Sequence, residues 1–135
     1  PETYNCFYKW GEAYQGNENP IIITMNANKK IFADFRYIHE PIGVSGEKVL
    51  NRNLSQAEYI NILKWQANPN NYEITISKYR IFQVQDGERN LVVELNGNTF
   101  GYSHRKVQGA LTQTYEIVAV NSDGREGNPA RIVID

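Results

Sequence analysis

The groups in this chain able to do covalent, acid–base or metal chemistry are His39, His104 and Cys6, beside 15 carboxylates. A nucleophile needs a base within reach, and a zinc site needs several His, Cys or carboxylate ligands at short spacings. Neither histidine has a partner at helical or strand metal-ligand spacing. No HExxH, CxxC, GxSxG, Walker or dinucleotide pattern occurs. Both histidines therefore read as surface residues. Cys6 alternates with Tyr4, Tyr8 and Trp10, the pattern of a half-buried strand thiol, and has no histidine near it in sequence. Glu12, Glu18, Asp86, Glu88, Asp123 and Glu126 read as turn residues, and no loop carries the oxygen-ligand spacing of a calcium site. The expectation is no catalytic residue, no metal site, no cofactor and no enzymatic activity.

Aromatic residues are the remaining functional candidates, at 12% of the chain with nine tyrosines. Exposed rings can pack on the apolar faces of sugars, and Tyr14, Tyr37 and Tyr72 fall in loop or linker positions. These three are the candidate ligand contacts. Anchoring of loops and packing between domains is the other role open to them.

Net charge is −1, with both signs mixed along the chain. Lys29-Lys30 and Arg105-Lys106 are its adjacent basic pairs, too few for a nucleic-acid surface or a polybasic membrane patch. Apolar runs such as Ile21–Ile23 and Ile117–Val120 are far too short to span a bilayer. One cysteine excludes an internal disulfide, so the fold must rest on its core. The chain starts at Pro1 without a signal-peptide pattern, as expected of a mature product or a piece of a longer protein.

The elements that would position these residues are short strands punctuated by Gly, Asn, Asp and Pro. Alternation predicts strands over Tyr4–Trp10, Ile21–Met25, Lys30–Phe35, Lys48–Asn51, Glu58–Trp65, Ile76–Gln85, Leu91–Leu95, Thr99–Ser103, Thr114–Asn121 and Ala130–Ile134. Asp86-Gly87, Asn96-Gly97 and Ser122-Asp123-Gly124 supply positive φ for the turns between them. The strand face carrying Trp65, Tyr79, Ile81, Tyr115, Ile117 and Ala119 is the predicted structural core, with Leu63 and Ile132 as further inward candidates. Each large side chain contributes roughly 1.5–3 kcal/mol on burial, enough for this set to offset ordering of the chain. A domain boundary is expected near Arg36–Gly43, dividing residues 1–36 from residues 37–135.

From Pro41 to Asp135 the order of these pieces resembles a fibronectin type III domain. Trp65 ends the second strand, Tyr79-Arg80-Ile81-Phe82 resembles the third, and Tyr115–Asn121 resembles the sixth, followed by Asp123-Gly124. Tyr115, with Leu111 upstream, fits the tyrosine corner, in which the hydroxyl ties down a crossing loop. The first 35 residues resemble the closing half of a divergent internalin-B-type (Listeria–Bacteroides) repeat. That resemblance rests on Phe7-Tyr8-Lys9-Trp10-Gly11, Asn19-Pro20, Thr24-Met25, Asn28-Lys29 and Ala33-Asp34-Phe35.

Together these resemblances imply an all-β chain: an immunoglobulin-like sandwich of about seven strands preceded by a three-strand half-repeat. They also imply a bacterial, extracellular or cell-surface setting. The implied role is a non-catalytic structural or adhesive module, serving as spacer or protein-binding domain. Its partners would be neighbouring domains of the same polypeptide or other surface proteins, with no nucleic acid and no direct membrane insertion. The alternatives are an accessory carbohydrate-associated module of a polysaccharide-degrading enzyme, or a subunit that self-assembles by strand pairing through its N-terminal strands.

Overall fold

The computed structural model describes residues 4–12, 16–22, 30–53 and 56–135. Nine strands are present among them: β1 (Asn5–Glu12), β2 (Ile31–Tyr37), β3 (Ile42–Arg52), β4 (Ala57–Gln66), β5 (Ile76–Gln85), β6 (Glu88–Asn96), β7 (Gly101–Val107), β8 (Gln113–Asn121) and β9 (Ala130–Ile134). β3 to β9 form two antiparallel sheets, β3-β4-β7 and β6-β5-β8-β9, while β1 and β2 make a separate hairpin. Seven strands in two sheets are the immunoglobulin-like sandwich expected from the sequence. In the N-terminal part, Ile21 and Ile22 lie outside any strand, and residues 23–25 of the predicted Ile21–Met25 strand lie outside the described residues.

The sheets meet over Leu63, Trp65, Tyr79, Ile81, Tyr115, Ile117, Ala119 and Ile134, each at most 3% exposed. Register places Tyr79 opposite Ala119 and Ile81 opposite Ile117, so the period-2 alternation of β5 and β8 turns these side chains to one face. Trp65 and Tyr79 meet edge-to-face with ring centroids 5.6 Å apart.

The outward face of β8 is buried as well, since Glu116, Val118 and Val120 are 8%, 0% and 0% exposed. Glu116 pairs with Arg89 at 3.2 Å and Arg131 at 3.0 Å. Glu126 pairs with Arg80 at 3.1 Å and Arg89 at 3.4 Å, and the Arg89 guanidinium lies 3.7 Å from the centroid of the Phe82 ring. Long arginine stems cover apolar surface while their heads pair with carboxylates, so a strand with one polar-looking face is enclosed on both.

Turn chemistry follows local sequence in part. Asp86 and Gly87 both take positive φ, 53° and 80°, the backbone of a two-residue hairpin turn with the hand that twisted strands need. Gly97 does not take positive φ. Its requirement is proximity, because its N–H donates to Ser77 O at 3.0 Å and a Cβ there would strike the Ile76 carbonyl.

Candidate functional site

The N-terminal hairpin is fixed to one pole of the sandwich by the linker that follows it. Ile38 is fully buried; its N–H donates to Tyr4 O at 2.7 Å, and its carbonyl accepts from Asn128 N at 3.0 Å. The next residue is held at both ends, with His39 N–H donating to Asn71 Oδ1 at 2.8 Å and Asn71 Nδ2 to His39 O at 3.1 Å. Asn71 can do this because Pro69–Asn71 form a 3-10 turn whose preceding Asn68 accepts from Asn70 N. Asn68 Nδ2 also reaches Glu40 O at 2.9 Å. The segment Asn68–Asn71 is thus the socket of the linker. From the hairpin side, Arg36 pairs with Glu73 at 2.8 Å, and Asn5 O accepts from Arg125 Nε at 2.6 Å. Cys6 is 3% exposed, and burial pushes its thiol pKa up, which makes it inert packing material.

Strand pairing sorts the hairpin side chains. Cys6 opposite Arg36 faces the sandwich, while Phe7 opposite Phe35 and Asn5 opposite Tyr37 share the other face. Tyr8 sits in a bulge between Phe7 and Lys9, with the Arg36 guanidinium 4.4 Å from its ring centroid. The outer face is an aromatic cluster. Phe7 contacts Trp10 and Phe35 at centroid distances of 5.1 and 6.2 Å, and Tyr37 contacts Tyr4 and His39 at 6.2 and 4.9 Å. Trp10 Nε1 donates to Glu18 O at 2.8 Å. Phe35 is 40% exposed and Tyr37 39%.

The three tyrosines singled out in the sequence occupy different settings. Tyr37 belongs to this cluster. Tyr72, 82% exposed, follows the 3-10 turn and has no ring contact among the described residues. Tyr14 lies outside the described residues. Tyr37 and Tyr72 are joined through the linker, by the His39 ring beside Tyr37 and the His39–Asn71 hydrogen bonds.

A second constellation, absent from the sequence reading, lies at the opposite end of the sandwich core. Asn61 is fully buried on β4. Its Nδ2 donates to Gln113 Oε1 at 2.8 Å and to the Tyr115 hydroxyl at 2.9 Å. Gln113 is oriented by its own Nε2, which donates to Gln108 O at 3.0 Å, a carbonyl that can only accept. The Tyr115 oxygen thus accepts from Asn61, and it lies 2.7 Å from His104 Nδ1, to which its own proton can be donated. With Nδ1 accepting that proton, neutral His104 carries its hydrogen on Nε2. Burial lowers the His104 pKa from its ordinary value, in keeping with a neutral ring. Asn61 Oδ1 is buried with no partner among the described residues.

Two expectations change here. His104 is a half-buried member of this chain, packed against Tyr102 and Tyr115, and not a surface residue. The Tyr115 hydroxyl goes to side chains and not to the crossing loop, and Leu111 is 53% exposed. The loop is held instead by Lys48 Nζ, which donates to the carbonyls of Gln108, Gly109 and Leu111. Pairing of Asn61 with His104 across β4 and β7 was the available signal, but it requires the register of strands about forty residues apart.

Scanned against protein-family models the sequence matches none, and no curated protein matches it. Solved structures do match. One described as FN3tt mut superposes with a TM-score of 0.50 at 17% identity, covering 70% of this chain and 90% of its own. A Fn3-like protein from Clostridium thermocellum superposes with a TM-score of 0.51 at 19% identity, covering 70% of this chain and 88% of its own. The fold is that of a fibronectin type III domain. In the fibronectin type III fold of this chain, β3, β4 and β7 form the smaller sheet and β6, β5, β8 and β9 the larger. The hairpin caps the pole carrying the β4–β5 and β8–β9 loops, and the buried polar chain lies towards the other pole.

Proposed function

We propose that this chain is a non-catalytic structural or adhesive module of a modular bacterial surface or secreted protein, acting as spacer or protein-binding domain. The observation that carries it is the joint. A fibronectin type III sandwich holds its preceding hairpin by a buried isoleucine, two asparagine side chains and two arginine contacts, while the hairpin's outer aromatic face stays accessible. A fixed angle between consecutive units suits a spacer, and an exposed aromatic cluster suits contact with another protein, where aromatic side chains concentrate binding energy. Neither of the two best candidates for covalent or acid–base chemistry has a catalytic partner among the described residues: His104 Nδ1 lies against the buried Tyr115 hydroxyl, and the Cys6 thiol is packed in the joint.

Residual dipolar couplings measured on the whole chain test the joint. A single alignment tensor for hairpin and sandwich is expected, and independent tensors would remove the basis of the spacer reading. Screening against glycosidase, esterase and peptidase substrates should give background only; turnover abolished by one side-chain substitution would overturn the non-catalytic reading. Protease shaving of intact cells of the source organism should release peptides of this chain, and their recovery only after lysis would overturn the surface placement.

The carbohydrate-associated reading is favoured by a different observation, the exposure of Phe35, Tyr37 and Tyr72. Against it, the Phe35 and Tyr37 rings lean edge-to-face on their neighbours, at interplanar angles of 77° and 85°, and form a cluster more than an open platform. Glycan-array binding lost in a Tyr14/Tyr37/Tyr72 triple-alanine variant would establish it over the spacer reading.

A further inference from the structure

The buried polar chain is a costly way to hold this part of the fold. A fully buried asparagine with an unpaired carbonyl, beside a buried glutamine and a tyrosine hydroxyl, costs stability that apolar residues of similar size would not. What the chain does accomplish is orientation. From the Gln108 carbonyl through Gln113 and Asn61 each hydrogen bond dictates the direction of the next, and a Tyr115 hydroxyl that donates to Nδ1 leaves His104 with its Nε2–H free of that network. His104 lines a cavity of about 370 Å³ between the end of β5, β7 and the loop before β8. The other polar residues lining it are Gln83, Gln85, Lys106, Gln108, Thr112 and Gln113, none of them acidic.

Lys106 lines the same cavity, and also the cleft beside Glu58 and Arg105. It is the unpaired residue of a bulge in β7, where Tyr59 pairs with Val107 and Ile60 with Arg105, and it takes φ of 57°. Left-handed backbone at a lysine is uncommon, and bulges re-aim side chains at the rims of sandwiches. Its neighbour Arg105 is instead held on the outer face by Glu58. Of the nearby charges, Lys48 is engaged by three loop carbonyls, Asp135 accepts from the Thr112 hydroxyl at 2.9 Å, and Glu58, which pairs with Arg105, is also attracted to Lys106.

We propose that this cavity binds a small carboxylate-bearing molecule, with the His104 Nε2–H and the Lys106 ammonium as its donors. Its volume falls within the range of small-molecule sites, and an imidazole N–H beside an ammonium is a donor pair that suits a carboxylate. The neutral glutamine amides add donors and acceptors for hydroxyl or amide groups elsewhere on the ligand.

Sodium glucuronate is a suitable probe and glucose its control, because the two share a pyranose and differ in the carboxylate. Amide and imidazole ¹⁵N NMR of the whole chain, titrated at constant ionic strength, reads the result. Glucuronate should shift the His104 Nε2 signal and the amides of Gln83, Lys106 and Gln113 saturably, and glucose should not. Lys106→Asn suits the left-handed backbone, leaves the buried chain untouched, and should weaken glucuronate binding about tenfold, the loss of roughly one charge-assisted hydrogen bond. His104→Gln should weaken it comparably, and if that variant fails to fold, Lys106→Asn alone decides. Absence of saturable shifts, equal shifts with glucose, or unchanged affinity in Lys106→Asn would each overturn the proposal.

Discussion

Replacing Gly127 by alanine is the most direct perturbation of the joint between hairpin and sandwich. A Cβ at this position would stand 2.8 Å from Ile38 O and 2.9 Å from Ile38 Cβ. Gly127 N–H also donates to Ala119 O at 2.8 Å, and Asn128 N–H to Ile38 O at 3.0 Å, so glycine and linker are held against each other from both sides. Gly127 does not adopt positive φ, so backbone conformation alone would let alanine stabilise the protein by about 0.4–1 kcal/mol through a less flexible unfolded chain. The clash opposes this. Two of its contacts are with backbone oxygen and Cβ, which no rotation of the isoleucine side chain can relieve, and overpacking of this kind costs about 1–3 kcal/mol. The net expectation is a loss of about 1–2 kcal/mol, equivalent to a factor of roughly 5–30 in the local opening equilibrium. Native-state hydrogen exchange should report that factor at the amides of β1 and of Ile38, while Ile81 and Ile117 in the sandwich core keep their protection. A Gly127→Ala protein that melts at or above the parent, with unchanged exchange in β1, would refute the close-packed joint.

Trp65→Ala should cost about 3–5 kcal/mol in denaturant melts, since the indole is 3% exposed and packs on Tyr79; a near-neutral result would mean the core is packed differently. Tyr115→Phe removes a hydroxyl bonded to Asn61 and His104 and should cost about 1–3 kcal/mol, because it strands a buried donor of Asn61 as well as removing a bond. His104 titrates lower in the folded chain than in the unfolded one, so its contribution to stability is complete above the unfolded value of about 6.5 and is lost as pH falls below it. Urea melts through this window should show stability falling with acid, less steeply in His104→Gln, and an identical slope in that variant would refute a buried neutral imidazole.

The sequence by itself determined what depends on period and turn chemistry. Alternation in β4, β5 and β8 places Trp65, Tyr79, Ile81, Tyr115, Ile117 and Ala119 on one face, and all are buried together. Asp86-Gly87 marks its hairpin because the positive φ it needs is a property of the two residues themselves. β3 was legible only over Lys48–Asn51, although it runs from Ile42 to Arg52. Gly43, Ser45 and Gly46 break its apolar alternation, and the space left by Gly46 is filled by Ile132 and Ile134 from β9, some ninety residues away. Glu116 on the outward face of β8 is enclosed by Arg89 and Arg131 from β6 and β9, which no pattern within β8 announces. His104 looked isolated because its partner Tyr115 lies on the facing sheet. The hairpin's seat depends on Asn5 meeting Arg125 and on Ile38 meeting Gly127, pairs whose separation no local pattern encodes. Strand character and facing are set by neighbours two residues apart, which the chain carries in its own order. Burial of a charge, the tautomer of a histidine and the angle of a joint depend on groups that only the closed sandwich brings within a few ångströms.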